Sequence, residues 1–102
     1  MGVTIKKYAN ESFCALIEGD IDHHTSKKIR ETIDTEVKKF NPSILKLDFS
    51  KVNFMDSSGI GLIMGRYRLM KLIEGKIELV NVPSRIDKLL RLSGVYNLKW
   101  GN

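Results

Sequence analysis

A chain of 102 residues, 42% of them hydrophobic, is long enough to bury one core and too short for two, so residues 1–102 are expected to form a single domain. The formal net charge of +5 suits an acidic partner, nucleic acid or an anionic membrane without choosing among them, and the basic residues are scattered among acids as on a solvated face. Cys14 has no second cysteine to bridge to, no secretory leader is evident, and no apolar run approaches the roughly 20 residues that span a bilayer; a soluble, cytoplasmic protein is expected.

Residues 3–8 and 12–18 are two β-prone segments separated by Ala9-Asn10-Glu11, a plausible hairpin, with Gly19-Asp20 ending the second. From residue 25 to 40 the apolar side chains Ile29, Ile33, Val37 and Phe40 recur at helical spacing, with lysines and acids on the opposite face. Pro42 stops that helix, and residues 44–49 alternate apolar residues with Lys46 and Asp48, as a strand does. A second helix is predicted from Ile60, Ile63, Met64, Tyr67 and Met70, ending at Gly75 as its cap. Residues 77–82 read as a strand, Ser84 with Asp87 as a capping box opening a helix to Leu92, Gly94 as its stop, and residues 95–100 as a last strand. The order β-β-α-β-α-β-α-β predicts an α/β fold: a mixed sheet of four to five strands, antiparallel at the opening hairpin and parallel elsewhere, with helices mostly on one face.

The stretch "NFMDSSGIGLIMGRY", residues 53–67, places an acid and two hydroxyls immediately before the second helix. Three readings compete. A side-chain oxygen of Asp56, Ser57 or Ser58 caps the helix by accepting a first-turn N–H, and one residue suffices for that. A nucleophilic serine would want the Gly-x-Ser-x-Gly turn and a base within reach, and the pattern is absent. A modified serine suits a helix start as well, because its free N–H groups tolerate a phosphate, whose charge would then repel a docked partner without unfolding anything. Spacing alone does not choose Ser57 over Ser58.

"IDHHT", residues 21–25, holds two histidines and an acid, but adjacent residues of an extended segment point apart and no ligand cluster completes a shell, so no metal is expected. Thr25 or Ser26 is expected to cap the first helix, and the loop to offer a polar edge to a partner. Gly59, Gly61 and Gly65 lack the Lys-Ser/Thr ending of a phosphate loop. The aromatics sit mostly at core-like positions and not interleaved on a clustered basic face, and the basic helix faces lack the strong apolar moment and Trp/Phe flank of a membrane-surface helix, so neither nucleic acid nor membrane is expected as a partner.

Together "GDIDHHT", "FMDSSGIGLIMGRY" and "VPSRIDKLLRLSGV" resemble the STAS domain of anti-sigma factor antagonists, most closely the sporulation members that free a forespore sigma factor; the likeness runs from about residue 3 to 100. The resemblance implies a STAS fold and a phosphoprotein switch that is not an enzyme and carries no cofactor and no catalytic residue. Its unphosphorylated form would bind an anti-sigma factor that is also a serine kinase, displacing the sigma factor. The kinase would phosphorylate Ser57, and a metal-dependent serine phosphatase would reset the switch; ATP and magnesium would belong to the kinase. Carried over residue by residue, Asp56, Ser57, Ser58 and Gly59 would form the docking surface with Asp22, His23, His24 and Thr25; Ser58 would cap or orient, and Gly59 and Gly61 would let the helix approach the sheet. Family members commonly carry a further C-terminal helix after the last strand, whereas this sequence stops at Gly101-Asn102. Two rivals remain: a nucleotide-binding or nucleotide-hydrolysing STAS-like protein, and a STAS module of a stress-response complex.

Overall fold

The computed structural model describes residues 2–98. Strands β1 (Gly2–Lys7) and β2 (Ser12–Ile21) form the expected antiparallel hairpin, and helix α1 (Ser26–Phe40) leads to β3 (Ile44–Met55). Helix α2 (Ser57–Leu72), β4 (Lys76–Val80) and α3 (Ser84–Ser93) follow, then a single 3-10 turn at Val95–Asn97. The strands lie side by side in the order β1-β2-β3-β4, with β2, β3 and β4 parallel. This is the mixed sheet anticipated from the alternation of elements, with four strands.

Alternation decides which face of the sheet is covered. Phe13, Ala15, Ile17 and Ile21 of β2 and Leu45, Leu47 and Phe49 of β3 are buried, and they share one apolar cluster with Ile29, Ile33 and Val37 of α1, Leu62, Ile63 and Met70 of α2, and Ile86 and Leu90 of α3. All three helices therefore contribute to a core on one face. Cys14, Leu16, Lys46 and Asp48 point to the other face and are only partly covered. Among the described residues no helix is long and apolar enough to cross a membrane.

The strands run further than expected. Leu16 pairs with Asp48 but Glu18 with Lys51, and Gly19 pairs with Val52 but Asp20 with Phe54, so β3 carries an extra residue at each of two bulges. The buried spacing along β3 changes accordingly from two to three, through Phe49, Val52 and Met55. The first bulge is held by Asp48 Oδ1, which accepts the Ser50 N–H at 2.9 Å. Gly19-Asp20 does not end β2: Gly19 takes φ +93°, a left-handed conformation that glycine tolerates within the irregular register, and the strand continues to Ile21.

Other local expectations are corrected by packing. Phe40 ends α1 half-exposed, edge-on to Phe13 at 5.9 Å with the Lys7 ammonium 3.8 Å above its ring, and left-handed Asn41 closes the helix by donating its N–H to Val37 O. The inward face of α2 is turned relative to the predicted stripe: Leu62, Ile63, Arg66 and Met70 are buried, whereas Ile60, Met64 and Tyr67 are half-buried. Glu74, at φ 59°, takes the left-handed position after α2. Gly75 serves close approach instead, since a Cβ there would lie 2.6 Å from Met70 Cε and 3.1 Å from Ser43 O. Ser84 forms no capping box, because Pro83 occupies the N-cap position and Asp87 accepts from Arg91 Nε and Tyr96 Oη, each at 2.7 Å. That Tyr96 bond folds the chain back on α3 after left-handed Gly94, so residues 95–97 turn where a strand was expected; residues 99–100 of that expected strand lie outside the described residues. Burial, then the bond to the Asp87 carboxylate, push the Tyr96 hydroxyl up to about 12.

Arg66 is the unexpected member of the core. Its Nη2 donates to Asp34 Oδ2 at 3.2 Å and its Nε lies 2.8 Å from Asp34 Oδ1 as an ion contact out of hydrogen-bond alignment, a pair that ties α2 to α1, while Nη1 donates to Leu62 O. Burial pulls the guanidinium below its ordinary value and Asp34 opposes that pull. Removing the carboxylate leaves a buried cation with only the Leu62 carbonyl, so Asp34→Ala is expected to cost about 3 kcal/mol in urea denaturation. The double variant Asp34→Ala/Arg66→Met should recover most of that loss, and equal losses in the two would contradict the pairing argument.

Candidate functional site

The parallel register brings two loops together at the C-terminal ends of β2 and β3. Ile21 pairs with Met55, and the Asp56 N–H donates to Ile21 O at 3.1 Å, so the Asp22–Thr25 loop and the start of α2 share one rim of the sheet. Ligand and docking sites of open parallel sheets commonly lie at this end, because loops there converge while the strands hold them.

The first loop is a closed turn. Asp22 Oδ1 accepts the N–H groups of His24 at 2.9 Å and Thr25 at 3.0 Å, and the Asp22 N–H donates to Thr25 Oγ1 at 3.0 Å. Thr25 Oγ1 donates back to Asp20 O at 2.8 Å. Thr25 stands at the N-cap of α1 but makes no side-chain cap; its hydroxyl fastens the loop to β2, and neither it nor Ser26 caps the helix as expected. Burial raises the Asp22 pKa, but the N–H bonds from Thr25 and His24, the nearby His24 and the Thr25 hydroxyl outweigh it, and the carboxyl sits below its ordinary range.

His23 and His24 do not point apart, because the turn replaces the extended segment assumed from sequence; their exposed rings lie 4.0 Å apart, centroid to centroid. Among the described residues no group of three His, Cys, Asp or Glu side chains is placed to hold a metal ion.

The second loop resolves which residue caps α2. Asp56 is extended, at φ −106° and ψ −168°, and its Oδ1 accepts the Ser58 N–H at 2.8 Å, while its carbonyl accepts the Gly59 N–H at 2.9 Å. Ser58 is therefore not the cap. Both serine hydroxyls are left without a hydrogen-bond partner among the described residues; Ser57 is exposed and Ser58 half-buried. Among the described residues no imidazole or carboxylate is bonded to either hydroxyl.

The glycines of the motif divide. A Cβ on Gly59 would run into Met55 Sδ and Cγ, so this glycine lets α2 start against the end of β3. Gly61 and Gly65 face open space, with nothing within 4 Å of a built Cβ, and the expectation that Gly61 brings the helix to the sheet is wrong. Sequence reasoning also passed over Phe54, 53% exposed beside this rim. Simple alternation puts Phe54 with Val52, and only the second bulge separates them. Arg85 of α3 reaches the same edge, its Nη2 donating to Asn53 O at 3.0 Å.

The family model for the STAS domain matches residues 5–100. An anti-sigma F factor antagonist of Paenibacillus polymyxa is 33% identical over 82 residues, which cover 80% of this chain and 70% of that relative. Among solved structures, the anti-sigma factor antagonist SpoIIAA in its unphosphorylated form superposes with a TM-score of 0.82 at 29% identity, over 92% of this chain and 82% of that one. The Bacillus cell fate determinant SpoIIAA in its phosphorylated form gives 0.75 at 28% identity, over 94% and 86% of the two chains.

The local roles yield separable outcomes in denaturation. Asp56→Ala should cost about 1 kcal/mol through the lost cap. Gly59→Ala should cost about 1–3 kcal/mol through overpacking against Met55, whereas Gly61→Ala should gain about 0.5–1 kcal/mol as an exposed helical position; similar losses at both glycines would contradict this division. For Asp22, a carboxyl carbon NMR titration should place its midpoint below 3.8. Because the folded value lies below the unfolded one, the turn's contribution to stability is present above the ordinary carboxylate range and lost as the pH falls through the lowered value. A midpoint at or above 3.8 would remove this role.

Proposed function

The chain belongs to the STAS domain family, and on that premise we propose that it is an anti-sigma factor antagonist whose surface at the β2 and β3 ends binds an anti-sigma factor and is switched off by phosphorylation of Ser57. The observation that carries this reading is the division of labour at the start of α2. Asp56 has taken the cap, so the exposed Ser57 hydroxyl can be modified with no structural bond to break.

In the unphosphorylated state, the Asp22–Thr25 turn and residues 56–59 present a surface already locked by their own hydrogen bonds, so docking orders little and loses little affinity to ordering. Asp22, His23, His24, Thr25, Asp56, Ser57, Ser58 and Gly59 form that surface, and the displaced sigma factor is set free. The anti-sigma factor is itself a serine kinase. It transfers the γ-phosphoryl group of its ATP to Ser57 Oγ: the new O–P bond forms, the bond to the β-phosphate breaks, the hydroxyl proton passes to a base of the kinase, and ADP leaves. A metal-dependent serine phosphatase hydrolyses the ester and restores the hydroxyl. The catalytic groups, ATP and magnesium belong to those partners; this chain is a cytoplasmic binding module that supplies an acceptor and a docking face.

The modification adds about −1.5 to −2 charges beside Asp56. A hundredfold loss of affinity requires about 2.8 kcal/mol, which a poorly paired phosphate desolvated at an interface can supply. The partial positive charge at the start of α2 also favours the phosphate where it sits, and Asp56 keeps the cap, so the fold is retained in both states.

Incubation with the host's anti-sigma factor kinase and ATP, followed by peptide mass spectrometry, should find one phosphate, on Ser57. Ser57→Ala should bind the kinase and resist switching, and Ser57→Asp should bind more weakly with an unchanged circular dichroism spectrum. Phosphate on Ser58, or equal loss of binding in the two variants, would contradict the proposal.

A further inference from the structure

Between the N-terminal halves of α1 and α2 lies a cleft of about 300 Å³ lined by Ser26, Arg30, Ser58, Gly61 and Leu62. Its polar side chains are donors without partners. Ser26 and Ser58 are half-buried residues whose hydroxyls make no hydrogen bond among the described residues, and the exposed Arg30 makes neither a hydrogen bond nor an ion pair there.

The reason lies one turn along α1. Asp34 is four residues from Arg30, the spacing at which a helical ion pair would form, but the buried Arg66 already holds both its carboxylate oxygens. Two guanidinium groups thus face one carboxylate, and Arg30 is close enough to depress the Arg66 pKa further. The surplus positive charge opens into the cleft. Gly61, with no side chain and open space around it, leaves the mouth clear.

We infer that this cleft is an oxyanion subsite of the docking surface, in which Arg30 and the Ser26 and Ser58 hydroxyls receive a side-chain carboxylate of the anti-sigma factor kinase; this rests on the proposed function above. A planar guanidinium pairs with a carboxylate through two N–H donors, and flanking hydroxyls satisfy the remaining lone pairs. A carboxylate on the partner also complements a chain of net charge +5.

The test is a calorimetric titration of the full chain against the purified kinase of the same organism, at low and high salt. Arg30→Gln should weaken binding about tenfold or more and flatten its salt dependence, and Arg30→Lys, which keeps the charge but not the fork, should fall between. Lys38→Gln, which removes the same charge at the other end of α1, should stay within about twofold of wild type, as expected of an exposed charge outside the subsite. If wild type binds and Arg30→Gln binds equally well, or Lys38→Gln weakens binding as much, the subsite is overturned and the proposed function stands. If wild type does not bind the kinase, both fall. A second readout needs no kinase: titration with inorganic phosphate, followed by NMR, should shift the Arg30 Nε–H and the amides of Ser26, Ser58 and Gly61, and Arg30→Gln should abolish those shifts. Shifts spread evenly over the surface lysines would overturn the subsite.

Discussion

The parallel pairing of β2 with β3 is the constraint on which the rest depends. It sets the ends of the two strands side by side, so that the hydrogen bond from Asp56 to Ile21 joins loops far apart in sequence. The bulges let β3 gain residues without losing its core contacts, since each inserts one position and Val52 and Met55 still reach the buried face. Without them, a period of two continued from Leu45, Leu47 and Phe49 would turn Lys51 and Asn53 toward the core in place of Val52, and α2 would begin at a different height against the helix layer.

On this rim, rigidity and accessibility are assigned to different atoms. Asp22 and Asp56 spend their carboxylates on neighbouring backbone N–H groups, Thr25 returns to the Asp20 carbonyl, and Gly59 seats the helix against Met55. The serine hydroxyls are left outside these networks. A switch that works by charge needs this separation, because a hydroxyl that also held the helix in place would alter the fold when modified. The Arg66–Asp34 pair acts one layer deeper, setting α1 against α2 and, by occupying Asp34, leaving Arg30 unsatisfied at the surface.

Much of the fold was legible in the sequence, because period and punctuation carry it: Ile29, Ile33 and Val37 mark α1, Pro42 follows its C-terminal end, Gly94 closes α3, and the alternation of Leu45, Leu47 and Phe49 marks β3. What was not legible depends on contacts distant in sequence. A bulge is a property of two strands, so the extension of β3 and the exposure of Phe54 are invisible in β3 alone. Arg66 looks like a solvated charge until Asp34 is placed opposite it, and the turn of α2 follows from that pairing. Residues 95–97 look β-prone, but a hydroxyl bond to Asp87 draws them back to α3. At the site, the motif named the candidates but not their roles: the choice of Asp56 as cap needed the geometry, and no sequence pattern marked the cleft beside Arg30.

The most direct test of a charge switch on a preformed surface is to compare the unphosphorylated and Ser57-phosphorylated chains by amide NMR and by affinity for the anti-sigma factor kinase. Shift changes confined to residues 20–26 and 54–61, with an affinity lowered about a hundredfold or more, are the predicted result. Changes spreading through core positions such as Ile17 and Leu47, or an affinity that phosphorylation leaves unaltered, would contradict it.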